Sequence, residues 1–128
     1  TIRAKHRPVI IITSNAKKDL SEPFLGRCNF HHIAFPDPDM MHEIVRTHFP
    51  NVAQDLLQQC IRAFFAMRDF PGVEKKPATR ELINWIRAVH KDPDISPKDL
   101  KKGNIPYLGV LFKKSQDFAL AQSNLRRF

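Results

Sequence analysis

The stretch Asn51-Val52-Ala53-Gln54-Asp55-Leu56-Leu57-Gln58-Gln59-Cys60-Ile61-Arg62-Ala63-Phe64-Phe65 decides the fold of most of this chain. Its apolar positions, Ala53, Leu56, Leu57, Cys60, Ile61, Phe64 and Phe65, recur in steps of three and four, which places them on one face of an α-helix. Asn51 is a candidate cap for that helix, and Pro71-Gly72 breaks it. Cys60 lies on the apolar stripe and is read as a core residue rather than a reactive thiol. One amphipathic helix is not stable by itself, so the flanking sequence must supply the elements that cover it.

It does so on both sides. Asp37-Pro38 is a cap and first-turn pair opening a helix through Ile44, Val45 and Phe49, stopped by Pro50. Downstream, a helix starting near Pro77 to Thr79 carries Leu82, Trp85, Ile86 and Val89 on one face. Ser96-Pro97 opens a short helix ending at Gly103, Pro106 opens another with Leu108, Leu111 and Phe112, and Ser115 caps a last one. Residues 36–128 are therefore expected to form a helical bundle.

Residues 1–35 follow a different pattern. Pro8-Val9-Ile10-Ile11-Ile12-Thr13-Ser14-Asn15 is a β-branched apolar run ending in small polar residues, the signature of a strand buried on both faces of a parallel sheet. Phe30 to Phe35 is a second strand candidate, and between them Ser21 caps a short helix with Pro23 in its first turn. This is a strand-helix-strand unit, and two strands alone do not make a stable sheet.

Composition narrows the function. The chain has 128 residues and a net charge of +8, with only 4 glycines against 10 prolines. Residues 1–35 carry 6 Lys/Arg against 2 acids, residues 36–90 carry 7 against 7, and residues 91–128 carry 8 against 4. The best-patterned part is thus neutral and the basic charge sits in the flanks, unlike a helix that reads DNA. No apolar run is long enough to span a bilayer, and no secretory leader pattern opens the chain. Cys28 and Cys60 are too few for a disulfide scaffold or a four-ligand zinc site, so a cytoplasmic protein is expected. No H-E-x-x-H, no G-x-S-x-G and no glycine-rich phosphate loop is present, and no metal site is expected.

Three residues stand out as candidates. Asn15 closes the buried strand, where the carboxyl ends of parallel strands form ligand crevices and an amide offers one donor and one acceptor. Without further context, a loop-starting Asn bonded to its own backbone is the better reading. Arg27 ends the short helix in Phe24-Leu25-Gly26-Arg27-Cys28, an ordinary position for a cation. Arg80 is the opposite case: with Lys75 and Lys76 it crowds cations at a positive helix end, which is unfavourable unless an anion is present. Glu81 relieves part of that repulsion.

Taken in order, these segments resemble the second half of an AAA+ ATPase module, with the MoxR-type branch as the best match. The residues that carry the resemblance are Thr13-Ser14-Asn15, then Leu20 to Cys28, then the lid segment Lys75-Lys76-Pro77-Ala78-Thr79-Arg80-Glu81-Leu82-Ile83-Asn84-Trp85, and finally Ile105 to Lys114. The resemblance implies a mainly α chain: a helical AAA+ lid-like bundle (36–128) preceded by a strand-helix-strand remnant of an α/β P-loop core (1–35). It implies that Asn15 is the sensor-1 residue, Arg27 the arginine finger and Arg80 the sensor-2 residue of the lid. It also implies ATP and Mg²⁺ in an intact protein, identical subunits in a ring (a hexamer in this superfamily), and chaperone-like remodelling of client proteins.

The Walker A and B segments of that family have no counterpart in these 128 residues. The chain is therefore expected to be the C-terminal part of an ATP hydrolase, inactive alone and with no nucleotide or metal bound. Its first 35 residues, lacking the central strand of the family's sheet, are expected to be misplaced, swapped between chains or abnormally paired. The alternative is a stand-alone basic helical module that binds nucleic acid through its flanks.

Overall fold

A computed structural model describes residues 1–14 and 20–127. Asn15, with the proposed sensor-1 role, lies outside the described residues. The chain divides into two units, Thr1–Ala34 and Phe35–Phe128. Seven helices and no strand occur among the described residues: α1 Glu22–Leu25, α2 Pro38–His48, α3 Gln54–Arg68, α4 Thr79–Lys91, α5 Pro97–Lys101, α6 Leu108–Leu111 and α7 Ser115–Leu125. The chain is mainly α.

The first unit corrects the expectation of a strand-helix-strand remnant. Val9, Ile10, Ile11 and Ile12 belong to no strand and are 61–90% exposed, and Phe30 and Ile33 are likewise exposed. The physical reason is that a strand's backbone groups must be paired by a neighbouring strand, and none is built here among the described residues. Among the described residues no irregular sheet takes its place. Among the described residues of that unit only its short helix forms. Ser21 precedes α1, its carbonyl accepts from the Phe24 and Leu25 amides, and Pro23 sits in the first turn.

The second unit is built around α3. Leu57, Cys60, Ile61, Ala63, Phe64 and Met67 of α3 are buried, and the helix packs against α2, α4 and α5. Each partner supplies a matching face: Met41 and Val45 from α2, Leu82, Trp85, Ile86 and Val89 from α4, and Leu100 from α5. Burial pushes the Cys60 thiol up to about 12, so it stays protonated and packs as a small apolar group. The Asp37 carboxylate accepts from the Met40 amide at 2.8 Å and caps α2. At α5, the Asp99 carboxylate accepts from both the amide and the hydroxyl of Ser96. Three starts differ from the sequence reading: α3 is capped at Ala53 rather than Asn51, α6 begins at Leu108 after Tyr107 rather than at Pro106, and Ser115 is the first residue of α7 rather than its cap.

Turns are set by a few special backbones. Gly72 follows Pro71 at φ +84°, where a Cβ would also meet Leu120 at 3.0 Å, so this turn requires glycine. Tyr107 holds a left-handed conformation at φ 54° without being glycine. Two hydrogen bonds on either side restrain it. Trp85 Nε1 donates to the Pro106 carbonyl at 2.8 Å, and the Tyr107 hydroxyl donates to Asp92 at 2.8 Å.

Trp85 is fully buried and ties α4 to the segment before α6. Replacing it with Phe removes the donor, strands the Pro106 carbonyl and leaves a void, a combined cost of about 2–4 kcal/mol. Urea unfolding of Trp85→Phe followed by far-UV circular dichroism checks this. A loss below about 0.5 kcal/mol, the range of neutral surface changes, would show that the tie carries no stability.

Candidate functional site

The segment from Val73 to Ala78 has no regular secondary structure, yet side chains from three helices hold it. From α7, the Asp117 carboxylate accepts from the Glu74 amide at 2.8 Å and from the Lys75 amide at 3.0 Å. From the last turn of α3, Arg68 Nη1 donates to the Pro77 carbonyl. From the first turn of α4, Glu81 accepts from the Ala78 amide at 2.9 Å, which is one half of a capping box; Ala78 offers no side-chain acceptor for the other half. Loops are ordinarily the least restrained part of a domain, so three side-chain ties over five residues make this one pre-organised.

Asp117 is the polar member of the core, 2% exposed among apolar neighbours. The amides of Glu74 and Lys75 hold its carboxyl below the usual range, opposed by desolvation and helped by the nearby Lys114. Its charge is thereby committed to backbone. Glu81 is committed in the same way. Apart from Glu74, the charges this loop presents outward are cationic. Lys75, Lys76, Lys113 and Lys114 line one shallow cleft together with Glu81 and Asp117. Lys114 pairs with Glu74 at 3.2 Å, a surface contact with both partners largely exposed and of little energetic weight.

Arg80 is the second residue of α4 and is exposed. Among the described residues the Lys114–Glu74 bridge is the one ion pair, so Arg80 stands at the positive end of a thirteen-residue helix without a carboxylate. That placement is as the sequence suggested, and an anion is the partner its chemistry fits. Arg27 follows Gly26 at the end of α1, exposed, with its amide bonded to the Phe24 carbonyl at 3.2 Å. It belongs to the first unit and Arg80 to the second.

No group of three His, Cys, Asp or Glu side chains able to hold a metal occurs among the described residues. His31 and His32 are exposed, and His42 is engaged with Gln54 at 2.9 Å. Also among the described residues, no helix is long and apolar enough to cross a membrane.

Two residues of this site were not singled out in the sequence. Asp117 carries a readable signal, because it shares the α7 face of Ala121, four residues on, and a carboxylate there needs buried donors. Arg68 carries none, since a cation in a helix's last turn is an ordinary feature. Compared with known proteins, the chain matches no family model, no curated protein and no solved structure.

The Asp117 ties make the site sensitive to acid. A carboxyl whose pKa is depressed on folding contributes stability that is present above the unfolded value, about 3.9, and is lost as pH falls through the lower folded value. Below pH 4 the urea midpoint should fall with decreasing pH. In Asp117→Asn, which keeps one acceptor oxygen and loses the charge, the midpoint should be lower at pH 7 and its acid slope shallower. Asp99, also depressed by its Ser96 bonds, supplies the remaining slope. An acid slope unchanged in Asp117→Asn would show that the carboxylate is not charged in the folded protein.

Proposed function

We propose that this chain is the C-terminal part of an AAA+ ATPase of the MoxR type, in which residues 36–128 are the helical lid. The observation that carries this reading is Arg80: an exposed, unpaired cation in the first turn of α4, just after a loop fixed by Arg68, Asp117 and Glu81. A cation so placed raises the energy of the free helix end and is relieved by a phosphate, which is the role of a sensor-2 arginine. Arg27, exposed after α1, fits an arginine finger reaching a neighbouring subunit's nucleotide in a ring. Asn15 would orient the attacking water.

The residues here fit the phosphates of ATP in part, through Arg80. Arg80 can hold a phosphate oxygen, whereas no acidic cluster suits the metal among the described residues. When bound, ATP supplies the phosphoanhydride bond whose cleavage drives remodelling of a client protein. The contribution of these residues is charge placement: Arg80 from within the subunit and Arg27 from across the interface. The sequence of the reading frame upstream of Thr1 is the direct test. A G-x-x-x-x-G-K-[ST] loop followed by a strand ending in acidic residues supports the reading.

A basic module on nucleic acid is the competing reading, favoured by the four lysines that share one cleft. It requires affinity for DNA or RNA that falls steeply with salt and survives replacement of both Arg27 and Arg80.

The ATPase reading has a quantitative expectation. The 128-residue chain alone should show no ATP hydrolysis above background. In the intact protein, Arg27→Ala should lower turnover by about 10³- to 10⁵-fold, and Arg80→Ala should weaken ATP use by about 10- to 100-fold. Steady turnover by the isolated chain that Arg80→Ala abolishes would overturn the division of labour proposed here.

A further inference from the structure

Arg68 joins two parts of the helical unit that are distant in sequence. Its guanidinium carbon lies 3.6 Å from the centre of the Phe35 ring, and the same guanidinium donates through Nη1 to the Pro77 carbonyl. Phe35 is the first residue of the unit, and Pro77 immediately precedes Ala78, the residue that caps α4. The Phe35 ring is itself fixed. It stacks on Phe64 at 6.3 Å with planes 26° apart and meets Phe65 edge-on at 6.2 Å. The contact chain runs from where the backbone enters the unit, through one aromatic ring and one cation, to the backbone that sets the start of α4.

The chemistry requires arginine. A planar guanidinium can lay its face on a ring while its edge donates to a carbonyl. A lysine ammonium concentrates its charge at one point and cannot do both from one position. Arg68 is partly desolvated, which strengthens both contacts.

We propose that Arg68 is a positioning residue that couples Phe35 to the loop before α4, so that displacement of the chain at Phe35 shifts the Pro77–Ala78 backbone and, with it, the direction of Arg80. The use of that movement rests on the ATPase reading; the coupling rests on the contacts alone.

Amide hydrogen exchange on the full chain tests it with no nucleotide present, so failure of the ATPase reading and failure of the coupling are separate results. The reporters are the amides of Glu74, Lys75 and Ala78, each hydrogen-bonded to a carboxylate. Phe35→Leu keeps apolar bulk but removes the ring face. It should speed exchange at the three reporters by about tenfold, equivalent to about 1.4 kcal/mol of local opening, while the buried core of α3 exchanges as before. Arg68→Lys should produce the same acceleration alone, and adding Phe35→Leu to it should change nothing further. Equal effects of Phe35→Leu in both backgrounds, or none in either, would overturn the coupling. Should Arg68→Lys fail to fold, Phe35→Leu decides alone: unchanged reporter exchange rejects the proposal.

Discussion

Everything ordered in the second unit depends on covering one helix. α3 lies against α2, α4 and α5, and its buried face runs from Leu57 to Met67 without a polar side chain. At about 25 cal/mol per Å² of apolar surface removed from water, burial of this kind is what offsets the entropy of ordering the three helices around it. The loop from Val73 to Ala78 is hung from the same scaffold. Arg68 is the last residue of α3, so the helix that organises the core also fixes the backbone ahead of Arg80.

The loop shows how charge can be separated without a large net imbalance. Near α4 the acids and bases are close in number, yet they do different work. Asp117 and Glu81 spend their charge on backbone amides, which are fixed and cannot turn away, whereas Lys75, Lys76 and Arg80 face outward. A formal count over residues 36–90 therefore understates how cationic this end of the unit is. The same commitment to backbone makes its order depend on carboxylate charge even though few ion pairs hold it.

How much of this was legible follows from the range of the interactions. Helix periodicity placed Leu57, Cys60, Ile61, Phe64, Leu82, Trp85, Ile86 and Val89 in the core, and all are buried. Local turn chemistry placed Asp37, Pro38, Pro97 and Gly72 correctly. The contacts that shape the site were not legible because they are not local: Asp117 reaches residues 42 and 43 positions away, and Arg68 meets Phe35 across the whole of α2. The strand reading of Val9–Ile12 failed for a related reason. A β-branched run reports what a segment can bury, and says nothing about whether a neighbouring strand is there to receive it.

That exposed run has a consequence for how the molecule behaves in company. Val9 to Ile12 is uncharged, aliphatic and strand-prone, the composition that pairs edge to edge with its own copy. Arg3, Lys5 and Arg7 lie just ahead of it and are also exposed. Two copies aligning there in parallel would bring these cations together, and their repulsion would oppose that one alignment. Because that barrier is electrostatic, it is set by ionic strength: strong in dilute buffer and screened within about 8 Å at physiological salt.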